Sequence, residues 1–298
     1  MSALRLQGAI FSVVALLLAA AADRLALPET QTALVALAVL IVFFGVPHGG
    51  LDPIFAQRLY QIRTVADWVK FTVAYLVLAA LVVALWWSAP TVFLLAFLLL
   101  SVVHFSGDLA PGAAVVSRVL YGGALVVLPA LLHSSELTRL FSMLVDASAA
   151  QSLVAALHLI AWPWLLATVL AAAHSARADW LTALEIVSVT ALAARLTPLL
   201  AFTVFFCGMH SARHILRTKK YANSSARRLV LTSAAPMLAV LFIAAVAWQL
   251  SAQWLPDLPV DARVVQLLFV ALAALTVPHM VLVERVRFVG WRDAGIKH

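Results

Sequence analysis

Residues 229–250 read LVLTSAAPMLAVLFIAAVAWQL. The stretch carries no charge, and its apolar residues run on without the period-two alternation of a barrel strand. Its length suits a helix crossing a bilayer, which needs about 20 mostly apolar residues. Working outward, similar runs lie at 6–22, 30–47, 68–87, 91–107, 115–132, 152–173, 180–195, 197–214 and 264–283. The pattern predicts an all-α, polytopic integral membrane helical bundle of about ten transmembrane helices. We read residues 1–298 as a single integral membrane domain, because no linker or second domain interrupts the runs.

Composition agrees. Of 298 residues, 64% are hydrophobic and 11% charged, and the mean hydropathy is +1.04. A soluble domain averages about 45–50% apolar and about 25% charged. One water-facing core cannot hide such an excess, which excludes a soluble enzyme and a disordered chain. The single cysteine, Cys207, excludes an intramolecular disulfide framework.

The net charge of +7 would suggest nucleic acid in a soluble protein. With ten spans and a cytoplasmic N-terminus, sixteen of the twenty Lys and Arg residues fall on the cytoplasmic side. Only Arg24, Arg139, Arg195 and Arg263 fall opposite. This is the positive-inside pattern. It makes the charge a topology signal, places both termini in the cytoplasm and removes the case for nucleic acid. The basic loop from Lys219 to Arg228 reads as an anchor near anionic lipid. Arg5, the apolar run behind it and Ala19–Ala22 also fit a secretory signal peptide. Residues 134–150 read as an amphipathic interfacial helix, with Leu137, Leu140, Phe141 and Leu144 on one face. A four-residue echo, His-Ser-Ala-Arg at 174–177 and 210–213, is too short to mark a repeat.

The histidines are distributed unevenly. Under this topology the even-numbered spans run inward, and His48, His104, His174, His210, His214 and His279 gather at their cytoplasmic ends. Polar groups near hydrocarbon are costly and mark function. His210 and His214, spaced i, i+4, share one helix face and can grip one metal. His48 sits in Gly45-Val-Pro-His-Gly-Gly-Leu-Asp52, where Pro47 breaks the helix. A broken helix at membrane depth is tolerated where it faces protein or a cavity. His279 repeats the Pro-His pair. His174 lacks such a context and reads as structural, while His133, His158 and His298 lie elsewhere. Asp52, Asp108, Glu185 and Glu284 are at the right depth to accept from the second ring nitrogen of a ligating histidine. His279 is a ligand or a supporting group, and Glu185 should be paired or protonated.

An imidazole-rich set without thiolates suits Fe, Zn, Cu or Ni. The His-Glu-x-x-His zinc motif, the Gly-x-Ser-x-Gly elbow and a phosphate-binding glycine loop are all absent. A metal in an apolar bundle suits a hydrophobic substrate arriving from the bilayer and redox chemistry with O₂. A membrane di-iron hydroxylase or desaturase is the second reading, although only one His-x-x-x-His box is present. A haem- or metal-binding transporter is the third.

Four motifs together carry a family resemblance. Gly-x-Pro-His-Gly-x-x-Asp (45–52), His104-Phe105 with Asp108, Phe-x-x-x-His-Ser-x-Arg-His (206–214) and Pro-His-x-x-x-x-Glu (278–284) resemble the Brp/Blh family. These are bacteriorhodopsin-related integral membrane β-carotene 15,15′-dioxygenases. The resemblance implies a helical membrane enzyme of a prokaryotic cell membrane using non-haem Fe(II). It implies cleavage of the central double bond of β-carotene by O₂, giving two all-trans-retinal. It maps the iron ligands onto His48, His104, His210 and His214, with His279 at a further family position. In the family Gly follows His-Phe directly and the Asp comes next. Here Ser106-Gly107-Asp108 follow, which leaves the role of Asp108 open. Phe44, Phe105, Phe205, Phe206 and Trp162 are candidates to line a polyene tunnel. Membrane lipid and a retinal-binding rhodopsin, as recipient of the product, complete the expected partners.

Overall fold

A computed structural model describes residues 2–24, 31–110 and 112–289, with side chains placed as far as Val286. His298, Arg292 and Lys297 lie outside the described residues, as does residue 30 of the second expected span. Among the described residues the chain is helical throughout. Eight helices are long and apolar enough to span a membrane. They are α1 (Ala3–Ala20), α2 (Gln31–Tyr60), α3 (Val65–Ser88), α5 (Val115–Leu132), α7 (Ala147–Ala176), α9 (Pro198–Ala222), α10 (Ala226–Trp254) and α11 (Val260–Val289). Between them lie α4 (Pro90–Ser106), α6 (Ser134–Ser142) and the 16-residue α8 (Trp180–Arg195). Each of the ten expected runs therefore forms a helix, two of them shorter than a full span.

The chain marks these boundaries with caps. Thr64 and Asp67 form a reciprocal capping box at the start of α3. Asp146, Asp179 and Ser225 cap α7, α8 and α10 through their side-chain oxygens. Asn223 closes α9 in the left-handed region, at φ 48°.

The bundle is apolar outside as well as inside. On α3 no residue is buried, and on α10 only Leu229 is. Leu76, Leu81, Leu238 and Phe242 all face outward. Such surface is untenable in water and suits hydrocarbon. The main cluster joins α1, α2, α4, α5, α8, α9 and α11 through residues such as Phe11, Ile41, Tyr121, Ile186 and Phe205. α1 is an integral part of it. Gln7 donates to the Gly208 carbonyl (2.8 Å) and accepts from Arg213 (3.0 Å).

Two expectations need correction here. Residues 134–150 do not form one helix on the membrane surface. The chain turns at residues 143–146, and the Asp146 cap starts α7. Leu137, Phe141 and Leu144 are buried against Phe93, Leu94 and Ala130, so the apolar face covers protein instead of lipid. Nor do most of the histidines sit at helix ends. α2, α9 and α11 continue for two turns or more beyond His48, His214 and His279. These extensions carry Arg58, Arg217, Lys219 and Lys220, and His48, His214 and His279 are all buried.

Candidate metal centre

Two irregular helix turns create the site. In α2 the backbone widens into a π turn over Ile41–Gly45 and tightens into a 3₁₀ turn over Val46–Leu51. Pro47, which cannot donate, lies inside the tightened turn. In α9 a π segment covers Phe206–Ser211. Single π turns within α-helices mark functional sites. The two irregularities are pinned together. Ser211 Oγ lies 2.9 Å from the carbonyls of both Phe44 and Gly45. Gly45 is required there, because any Cβ would meet the Phe206 ring. On the opposite wall α5 packs against the last turn of α4, where a Cβ on Gly122 would meet Val102 O and Ser106 N.

This framework brings five imidazoles together. Ring centroids are 4.8 Å apart for His48–His210, 5.3 Å for His48–His214 and 5.2 Å for His48–His279. They are 4.4 Å apart for His104–His210, 5.3 Å for His104–His279 and 5.0 Å for His214–His279. All five are between 2% and 8% exposed. One nitrogen from each of His48, His104 and His279 lies within 4.8 Å of the other two.

The outer nitrogens are tied down. His210 Nδ1 donates to Asp108 Oδ2 (2.7 Å), and His279 Nδ1 donates to Asp52 Oδ1 (2.6 Å). His48 Nδ1 donates to the Gly45 carbonyl (2.6 Å). A carboxylate or carbonyl oxygen only accepts, so each Nδ1 carries a proton, and in the neutral ring Nε2 then keeps its lone pair. The Nε2 atoms of His210 and His279 are buried with no hydrogen-bond partner. An orphaned buried acceptor is rare in a folded protein. These two, aimed among other imidazoles, have the form a divalent transition metal takes up. The donor set is nitrogen alone; Cys207 is turned toward the Leu40 carbonyl instead.

The acids divide into two groups. Asp52 and Asp108 hold histidines, and Asp52 also accepts from Tyr75 Oη (2.9 Å). Glu185 touches no histidine and is paired bidentately with Arg213 at 2.6 and 3.0 Å. Arg213 and Arg217 both donate to the Asp108 carbonyl, at 2.7 and 3.0 Å. Glu185 is thereby linked through Arg213 to the Asp108 backbone. Glu284 is half-buried on α11, where Arg118 and His279 are its electrostatic neighbours. His174 is exposed. His133 and His158 bond elsewhere, to the Arg195 and Ala130 carbonyls.

The aromatic candidates also separate. Phe206 stacks on His210 and meets His48 edge-on, and Phe105 lies 5.1 Å from His210. Phe205 packs behind Phe105 in the core. Phe44 and Trp162 are 63% and 64% exposed, on the outer face of the bundle. An apolar cavity of about 80 Å³ does adjoin the site, lined by Phe97, Ser101, Phe105, Leu140, Phe202 and Phe269 among others. Sequence reasoning missed Tyr75 and Phe202. A single tyrosine in the apolar run 68–87 was the available signal for the first; nothing distinguished the second.

Fold and site define a polytopic helical membrane protein with a buried, carboxylate-supported imidazole cluster. The chain belongs to the β-carotene 15,15′-dioxygenase family, whose sequence profile matches residues 39–286. It is similar to a β-carotene 15,15′-dioxygenase from an uncultured marine bacterium, 66A03. The two are 28% identical over 258 residues, covering 82% of this chain and 90% of that protein. No solved structure matches the chain.

Proposed function

We propose that this chain cleaves the central 15,15′ double bond of β-carotene with O₂. One carbon–carbon double bond breaks, each oxygen atom ends in one aldehyde, and two all-trans-retinal result with no external reductant. The metal is Fe(II), held by His48, His104, His210 and His214. The observation that carries this reading is the convergence of buried imidazoles, with the outer nitrogens of His48 and His210 engaged. The nitrogen-only set suits a first-row transition metal, and the match to a family of dioxygenases supports iron among these. Bound Fe(II) supplies the redox chemistry that lets O₂ react with an unactivated polyene.

The chain's own residues perform the remaining tasks. Asp108 and the Gly45 carbonyl fix His210 and His48 in the neutral tautomer that presents Nε2 inward. Phe105 and Phe206 pack against the imidazoles and exclude water. The polyene follows the apolar path that opens at the cavity beside Phe105 and Phe202. No acid–base group is assigned a proton transfer, because the balanced reaction requires none.

The whole chain forms one membrane domain in a prokaryotic cell membrane, with both termini and the cluster toward the cytoplasm. Substrate and product exchange through lipid, and a retinal-binding rhodopsin is the recipient. Expression in a β-carotene-producing host tests the assignment. Retinal should replace carotene with the native chain and disappear with His48→Ala or His210→Ala. Full activity in either variant contradicts the ligand set.

A further inference from the structure

We propose that His279 is itself a metal ligand, held in place by a chain of positioning residues, Asp52 and Tyr75. The inference rests on the reading of the cluster as a metal site and enlarges its ligand set.

The argument starts from hydrogen-bond capacity. His279 is 2% exposed, and its Nδ1 donates to Asp52. Its Nε2 is buried and has no partner. Were His279 merely an imidazolium tying α11 to α2 through Asp52, Nε2 would carry a proton. A charged donor would then be buried with no acceptor, which is the more costly arrangement. The neutral ring, with a lone pair aimed into the cluster, avoids that cost only if something accepts the lone pair.

Position supports the same conclusion. The His279 ring contacts those of His48, His104 and His214 at 5.0 to 5.3 Å. It also shares with His48 and His104 the tightest three-nitrogen grouping among the described residues. A supporting residue behind a ligand would lie outside this circle; His279 closes it.

The support is built like that of His210. Asp108 holds His210 Nδ1 and is itself fixed by Arg213 and Arg217. Asp52 holds His279 Nδ1 and is fixed by Tyr75 Oη at 2.9 Å. In both cases a buried carboxylate orients an imidazole whose far nitrogen is unclaimed. Ligating histidines characteristically have this outer partner.

Co(II) binding to the purified, detergent-solubilised full chain tests this without relying on turnover. His279→Ala should weaken Co(II) binding by at least about tenfold and shift the cobalt d–d absorption, and added imidazole should restore both. Asp52→Asn keeps the ring and nearly keeps the shape. It should weaken binding by about 10–100-fold, the range for an outer partner, while leaving the d–d pattern close to native. Tyr75→Phe should have a smaller effect in the same direction. Native affinity and spectrum in His279→Ala would overturn the proposal. So would a folded Asp52→Asn protein with native affinity, should His279→Ala fail to fold. If the native chain itself bound no Co(II), the metal reading of the whole cluster would fall, a result distinct from the failure of His279 alone.

Discussion

Asp108 accepts a hydrogen bond from Nδ1 of His210 at 2.7 Å, although the two residues are 102 positions apart in the chain. The contact forms despite the departure from the family pattern. Ser106 ends α4 and Gly107 caps it, and Arg213 and Arg217 hold the Gly107 and Asp108 carbonyls. The carboxylate still reaches its histidine.

Asp108→Asn should therefore loosen the metal without unfolding the chain. The amide keeps an acceptor oxygen but loses the charge that raises imidazole basicity. Metal affinity should fall by about 10–100-fold, measured by competition with a chelator of known strength. An unchanged affinity would show that His210 needs no orienting partner.

The Glu185–Arg213 pair predicts an asymmetry between single and double variants. Both side chains are almost fully buried, and Gly8 leaves the space that admits them. Glu185→Ala should cost about 3–5 kcal/mol by leaving Arg213 uncompensated. Glu185→Leu combined with Arg213→Met should recover much of that loss. Denaturant unfolding in detergent micelles measures both, and equal losses would contradict the account.

Gly122→Ala should be far more damaging than a methyl group suggests. The added carbon meets backbone atoms at Val102 and Ser106, so α4 and α5 must separate and carry His104 with them. A lower melting temperature together with reduced metal content is the expected result. Gly112→Ala meets nothing within 4 Å and is the matched control.

Much of this was legible in the sequence, and the limits have physical causes. The apolar runs set the number of helices, and Pro-His, His-Phe and His-x-x-x-His marked the four helices that carry the cluster. The ends of the helices were not legible. Basic extensions such as residues 212–222 look like cytoplasmic loop, yet they continue α9 as helix. Side-chain direction was lost wherever the helix phase was ambiguous. Trp162 and Trp164 flank Pro163, and at about 100° per residue they point to different sides. Trp164 donates inward to the Leu120 carbonyl, while Trp162 faces out. Phe44 lies within the π turn, which shifts the phase again. Its carbonyl meets Ser211 while its ring faces outward. Asp52 could be matched to the site by depth, but its pairing with His279 across 227 residues needed the fold.

The cavity beside Phe105 predicts a substrate effect separable from the metal. Leu98 lines it, on α4 and away from the histidines. Leu98→Trp fills that space and should raise the KM for β-carotene several-fold with metal content unchanged. Unaltered KM would place the polyene elsewhere.

Product stoichiometry in the purified, Fe(II)-loaded protein under O₂ tests the central claim most directly. The account predicts two all-trans-retinal for each β-carotene consumed, with no longer or shorter aldehydes and no product after chelation. Carotene left intact, off-centre aldehydes, or retinal formed equally well with the metal removed would contradict it.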